Sequence, residues 1–436
     1  MKKESLLIVL FLLQGAVVAN AQYVFSSLDS VWRFALKQNA DYNVRLLQVE
    51  QARQDRNAAR SFLFPTVSAA ASGQDNIDLS VTPVPGELLG QPGETINMKF
   101  GKKYNYAAGV TVNYNVLNWQ KIYQSKMATT NLELQEANRD YFEQDLKQQL
   151  GQLYYAALTA IKATEIGEHD LAVADTLLSL SEDRFAQGTI DALELNQAKI
   201  SRNTIAQQLE ATMQYQDECL SNLKILLGLQ SSDELHLDET VSVQMASDGL
   251  PDLIANSTYT NVFKLQTDYA FAEKKKAGAA FLPDLKLNGF WGANQFQDEL
   301  AFSFKSGDWN ANSYIGLSVS IPIFNGMANR SNYRSAKLKQ EIAGQNYANE
   351  SRKSAINDQL TYRQMQRNRQ IAQSGESTFS LTADNLKLAA LKYDEGLISM
   401  DAYLKVFDDY LAAESNYLNA LSEFLSYKVI FESRKQ

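Results

Sequence analysis

Two periods of hydrophobicity alternate along this chain. Between Tyr104 and Val116 the residues alternate one by one. Tyr104, Tyr106, Ala108, Val110, Val112, Tyr114 and Val116 fall on one face, and Asn105, Thr111, Asn113 and Asn115 on the other. That is the period of a β-strand. Ile315, Leu317, Val319, Ile321 and Ile323 repeat the apolar face opposite Ser318 and Ser320. Val67, Ala69 and Ala71 continue it weakly, and Leu285, Leu287 and Trp291 more clearly. Four strands are therefore predicted, at about 66–73, 104–116, 284–293 and 313–324. Elsewhere the period is helical, as in Leu146, Leu150, Leu153, Ala157 and Ile161, or Ile205, Leu209, Met213, Leu220, Leu223 and Leu227. No proline occurs between Pro92 and Pro251 or after Pro322. Helices are predicted at about 121–187, 190–229, 328–394 and 399–433. The first of these would be roughly 100 Å long at a rise of about 1.5 Å per residue. Such a helix cannot close into a compact globule and must run beside others as a coiled coil or helical tube.

The chain makes the same statement twice. Asn43, Ala52 and Ala59 lead to Phe62-Leu63-Phe64-Pro65, and Asn261, Ala270 and Ala277 lead to Ala280-Phe281-Leu282-Pro283. Gly109-Val110-Thr111-Val112, ending at Leu117-Asn118, matches Gly316-Leu317-Ser318-Val319, ending at Phe324-Asn325. Arg184-Phe185-Ala186-Gln187-Gly188-Thr189-Ile190-Asp191 matches Lys392-Tyr393-Asp394-Glu395-Gly396-Leu397-Ile398-Ser399. Three ordered anchors mark an internal duplication. Each half reads helix, strand, loop, strand, very long helix, break, long helix. The expected organisation is a signal over residues 1–21, a first repeat over 22–230, a linker over 231–252 and a second repeat over 253–436.

Composition then narrows the function. The 436 residues contain two histidines, His169 and His236, and one cysteine, Cys219. A disulfide framework, a Cys/His zinc site and a Cys–His dyad are thereby excluded, and a Ser–His–Asp hydrolase is disfavoured. The net charge of −9 argues against nucleic acid as a partner. No cofactor is implied. Lys2 and Lys3, the apolar run from Leu6 and the Ala19-Asn20-Ala21 site read as a secretory signal, and no cysteine for lipid attachment follows the cleavage point. After it, no run approaches the roughly 20 apolar residues of a spanning helix. An exported chain with long alternating strands and tyrosines near the strand ends fits an outer-membrane barrel, apolar outward and polar inward. The outward set is Tyr104, Tyr106, Val110, Val112, Tyr114, Ile315, Leu317, Val319 and Ile321. Four strands cannot close a pore, so several chains are needed.

At the helix-ending Pro65 and Pro283, the Asn118 and Asn325 strand ends and the Gly188 and Gly396 breaks, the sequence resembles the TolC family of outer-membrane efflux proteins. The resemblance covers essentially the whole mature chain. It implies a membrane α+β fold in which three chains each give four strands to one twelve-stranded β-barrel. A long α-helical periplasmic barrel continues it, with the linker as a belt around the tube. It also implies an exit duct, not an enzyme, in the outer membrane of a Gram-negative bacterium. The duct would serve an efflux pump or type I secretion system. A periplasmic adaptor (membrane fusion protein) would join it to an inner-membrane RND or ABC transporter. The competing reading is a periplasmic adaptor or coiled-coil scaffold, which would have one hairpin between β-rich segments.

Two sets of candidate residues follow. Glu194 matches an acidic family position at the closed tube end. Its arginine partner is replaced by Ile398, and the family's other acidic positions by Ala402 and Lys405. Asp401 and Asp408, seven apart, are candidates to face the lumen with Glu194. The two glycine breaks are expected to reverse the chain, with Asp191 and Ser399 capping the returning helices. Phe185, Gly188, Thr189, Ile190, Tyr393, Gly396, Leu397, Ile398 and Ser399 form the expected adaptor-docking turns, with Ile190, Leu397 and Ile398 exposed.

Overall fold

The computed structural model describes residues 22–90, 92–242 and 253–435. The expected signal and positions 243–252 of the expected linker lie outside the described residues. In chain order the elements are β1 (Gln22–Phe25), α1 (Leu28–Gln38), α2 (Ala40–Arg60), β2 (Thr66–Asp75), β3 (Val81–Pro85), β4 (Thr95–Lys99) and β5 (Tyr104–Leu117). They continue with α3 (Trp119–Ala186), α4 (Ala192–Leu227), β6 (Glu234–Leu237), α5 (Ser257–Ala279), β7 (Asp284–Gln297), β8 (Asn310–Ser320), α6 (Ala328–Asp394) and α7 (Met400–Glu432). The four long helices begin and end within two residues of their expected limits.

The chain forms two compact units. One holds the chain up to Gln48, Glu136–Val262 and the chain from Ala348. Its core is built around α7, where Tyr417, Leu421, Phe424, Leu425 and Val429 recur at helical spacing. They pack with Val31 and Ala35 of α1, Leu150 and Tyr154 of α3, and Leu223 and Leu227 of α4. A second cluster joins Ala174 and Leu177 of α3, Leu386 and Tyr393 of α6, and Met400, Tyr403 and Phe407 of α7. The duplication is visible in its hydrogen bonds. Asn39 accepts from the Tyr42 N–H at 2.8 Å, and the Tyr42 hydroxyl donates to Glu143 at 2.9 Å. Asn256 accepts from the Tyr259 N–H at 3.0 Å, and the Tyr259 hydroxyl donates to Glu350 at 2.7 Å. The chain ends in a buried ion pair, Arg434 to Asp358 at 2.9 Å, with Asp358 also accepting from the Asn256 N–H at 3.1 Å. The expected linker contains β6, which pairs in parallel with β1 from Gln22↔Glu234 to Phe25↔Leu237.

The other unit holds Val49–Gln135 and Phe263–Tyr347. It contains a four-stranded sheet in the order β2-β5-β7-β8, antiparallel throughout. Three strands run to or beyond their expected limits, but β8 is displaced. It starts at Asn310 and stops at Ser320, so Ile321, expected on the lipid face, lies past the strand. Pro322 is the reason: it has no N–H to give a ladder, and Gly326 and Met327 then take positive φ before α6 starts. In the first repeat the helix follows the strand directly, with Asn118 accepting from the Lys121 N–H at 2.9 Å. The connection between β2 and β5, read from sequence only as a loop, contains a further hairpin, β3 with β4. Two prolines in β3 do not prevent it, because the ribbon is only two strands wide and one edge needs no donors.

Candidate functional site

Residues directly opposite one another in an antiparallel ladder project to the same face. The register therefore extends the alternation of β5 across the sheet. Ala69, Val110 and Trp291 form one row, Val67, Val112 and Gly289 the next, and Tyr114, Leu287 and Leu317 another. Ile315 lies opposite Gly289 and Val319 opposite Leu285, on this same face. Tyr104 and Tyr106 stand at its loop end, opposite Asp75 and Gly73 of β2. The eight expected outward residues that lie in strands thus share one apolar face. Val67, Val110, Trp291, Ile315, Leu317 and Val319 on it are exposed. A contiguous exposed apolar face on a sheet is the surface expected to meet a partner or lipid.

The opposite face carries Ser68, Thr111, Asn113, Asn115, Lys286, Asn288, Asn294, Asn312 and Ser318. Phe296, opposite Asn105, and one aromatic pair interrupt it. Phe290 of β7 stacks on Tyr314 of β8, with centroids 5.9 Å apart. A Cβ at Gly109 or Gly292 would come within 2.6 Å or 2.5 Å of the Phe290 ring. Those two glycines let the ring lie down across the sheet instead of standing on it. Sequence alternation missed this pair, because Phe290 and Tyr314 sit at polar-face positions. Among the described strands, none pairs with the outer edge of β2 or β8.

The two helix reversals have one backbone design. Gly188 and Gly396 have φ of 73° and 70°. The Thr189 N–H donates to the Arg184 carbonyl at 2.9 Å, and the Leu397 N–H to the Lys392 carbonyl at 2.8 Å. These are six-to-one closures of a left-handed helix cap, which glycine permits without strain. Asp191 accepts from the Leu193 and Glu194 N–H groups at 2.8 Å and 3.0 Å, and Ser399 from the Ala402 N–H at 3.3 Å.

Their side chains differ more than the sequence match suggests. Phe185, Thr189 and Leu397 are exposed, but Tyr393 is buried. Ile190 and Ile398, expected to be exposed, are half-buried, and Ile398 packs on the second cluster. The two turns are tied together by Arg184, which the repeat match alone does not single out. It reaches from the first turn to the second, donating to the carbonyls of Tyr393 and Asp394 at 3.0 Å and 2.8 Å. Its guanidinium lies 4.6 Å from the Tyr393 ring centre. Both bonds come from one guanidinium nitrogen, and the counterpart of Arg184 in the second repeat is Lys392.

Glu194 lies half-buried in the first turn of α4, while Asp401 and Asp408 are exposed on α7. No hydrogen bond or ion pair among the described residues joins the three. The acidic pair that the structure does bring together is Asp170 of α3 and Glu414 of α7, both buried. The Tyr410 hydroxyl donates to Asp170 at 3.0 Å, and His169 lies 3.6 Å from the same oxygen. Burial, reinforced by the Asp170 charge, raises Glu414 to about 8. Burial raises Asp170 also, against hydrogen bonds from Glu414, Tyr410 and His169 that lower it. The pair therefore keeps a proton at neutral pH. It borders a cavity of about 610 Å³ lined by small side chains of α3, α4 and α7, among them Ala160, Ala163, Thr204 and Ala412. No group of metal-ligating residues occurs among the described residues, and no described helix is long and apolar enough to cross a membrane.

The sequence profile described as outer membrane efflux protein matches residues 32–229 and 250–426. The pyoverdine export outer membrane protein OpmQ of Pseudomonas aeruginosa is 26% identical over 68% of this chain and 61% of its own length. The probable outer membrane lipoprotein SilC of Salmonella typhimurium is 22% identical over 72% of this chain and 64% of its own. The chain thus spans less than two thirds of either curated relative. Among solved structures, the CmeC outer membrane channel of Campylobacter jejuni superimposes with a TM-score of 0.75 at 19% identity. That match covers 93% of this chain and 84% of CmeC.

Proposed function

We propose that this chain, which belongs to the outer membrane efflux protein family, is the outer-membrane exit duct of an export assembly. The observation that carries the reading is the four-stranded sheet with one apolar face, one polar face and two unpaired edges. In lipid every backbone N–H and C=O must be paired, so an open sheet is untenable there. Pairing β8 of one copy with β2 of the next satisfies both edges, and three copies give a twelve-stranded ring. The apolar face then meets lipid, and the asparagine- and serine-rich face lines the passage. The long helices α3 and α6, each with a shorter partner, would supply the periplasmic helical barrel.

The duct is passive in this reading and holds no cofactor. Its partners are a periplasmic adaptor at the Gly188 and Gly396 turns and, through it, an inner-membrane RND or ABC transporter. The relative named for pyoverdine export favours efflux of small molecules over protein secretion. The adaptor-scaffold alternative loses ground because two strand–helix repeats are present, with no single hairpin between β-rich segments. Outer-membrane fractions solubilised in mild detergent should give a band three times the chain mass that collapses on boiling. A monomeric band before heating would refute the ring.

A further inference from the structure

Near the loop end of β7 the outward row carries Gln295, opposite Tyr106 of β5, and then Gln297, opposite Tyr104. A bare glutamine there would present its amide to lipid. Instead Gln295 is 0% exposed. Its side-chain nitrogen donates to the Ser303 carbonyl at 3.4 Å, and the Ser303 N–H donates back at 3.2 Å. The Trp309 indole donates to that same carbonyl at 2.9 Å. The connection between β7 and β8 therefore folds back over the outward face of the sheet. Phe302 packs edge-on against Tyr106, with centroids 5.3 Å apart, and touches Phe304 at 4.8 Å and Trp309 at 5.8 Å.

The inner side of this loop is satisfied and its outer side is not. Leu300 is 79% exposed, Phe302 51% and Phe304 93%. Three large apolar side chains in five residues face outward, continuous with Tyr106, Val110 and Trp291 on the apolar face. Charge does not account for them. Lys102, Lys103 and Lys305 at this end are offset by Asp298, Glu299 and Asp308, and Lys102 is paired with Asp298. An aromatic patch with a polar, charge-neutral rim, beside a lipid-facing surface, has the composition of a membrane–water boundary.

We propose that the loop Leu300–Phe304 is an interfacial anchor that inserts into the outer leaflet at the headgroup–acyl boundary and fixes the depth of the sheet. The inference rests on the outward face meeting lipid, as set out above, and adds where along that face the bilayer ends. The attachment is apolar, so salt will not release it.

Two native tryptophans test it. Wild-type protein and the Trp291→Phe and Trp309→Phe variants are reconstituted in phosphatidylcholine vesicles. Bromine is carried either near the headgroup end or deep in the chain. The quenching lost with Trp309→Phe should be strongest for shallow bromine, and that lost with Trp291→Phe for deep bromine. Leu300→Ser with Phe304→Ser should lower the Trp309 quenching several-fold, leave the Trp291 quenching unchanged, and make no difference to trimer yield. Added salt at 0.5 M should have no effect, with charge screened within about 4 Å. Quenching of Trp291 without quenching of Trp309 by either lipid would overturn the anchor and put the loop in water or under a neighbouring copy. Absence of Trp291 quenching would overturn the lipid-facing sheet itself, and the anchor with it.

Discussion

Glu414 and Asp170 illustrate how much a single buried proton controls in a wall of helices. The ordinary value for Glu414 is 4.5, and burial raises it to about 8. The folded state therefore binds the proton more tightly than the unfolded chain does. Its contribution to stability is complete below the unfolded value and is lost as pH rises through about 8. We expect the unfolding temperature to fall between mildly acidic and mildly alkaline pH, and Glu414→Gln to flatten that fall, since an amide holds the same bond without titrating. Parallel pH profiles for the two proteins would exclude the pair as the cause. On the sheet, Val110 and Thr111 are neighbours with opposite faces. Val110→Arg or Val112→Arg should impair assembly in the outer membrane, because a lipid-facing arginine near midplane costs roughly 2–4 kcal/mol in each chain. Thr111→Arg should assemble; equal outer-membrane levels for all three would reverse the assignment of faces. At this scale the caps Asp191 and Ser399 are legible in sequence, because capping is local. Arg184 and Asp170 are not, since their partners lie 210 and 240 residues away.

Among elements, the long helices could be read almost to the residue, because glycine at a left-handed cap and asparagine at a strand end are local punctuation. The end of β8 is a harder case: Ile321 and Ile323 keep the alternation, and only Pro322 says that the ladder has stopped. The β3–β4 hairpin and the β1–β6 pair escape notice because four- and five-residue strands carry too little pattern to rise above a loop. The two reversals share a backbone but offer different surfaces. The first exposes Phe185 and Thr189, and the second exposes Leu397 while burying Tyr393. An adaptor hairpin would accordingly meet two related sites, not two identical ones. Thr189→Glu with Leu397→Glu should abolish export while leaving trimer level and heat-modifiability intact. Cysteines at these positions should cross-link to the adaptor. Full export by the double variant, with no cross-link formed, would move the docking site elsewhere.

For the whole molecule, the passage should act through charge and width. Glu194, Asp401 and Asp408 would form three rings of carboxylates in a threefold tube, which concentrates cations locally. Replacing all three by their amides should reduce cation selectivity in planar-bilayer recordings, read as a shift of reversal potential in a salt gradient. An unchanged potential would take these residues out of the lining.

The unpaired edges of the sheet carry a consequence for heredity. Each chain offers one β2 edge and one β8 edge, so the proposed ring would accept any copy whose edges are intact, whatever its faces carry. Val110→Arg alters a face and spares both edges. A cell making it in equal amounts with the wild type would build rings by random draw, and only roughly one in eight would contain no altered chain. Loss of export would then be dominant, although half of the protein made is sound.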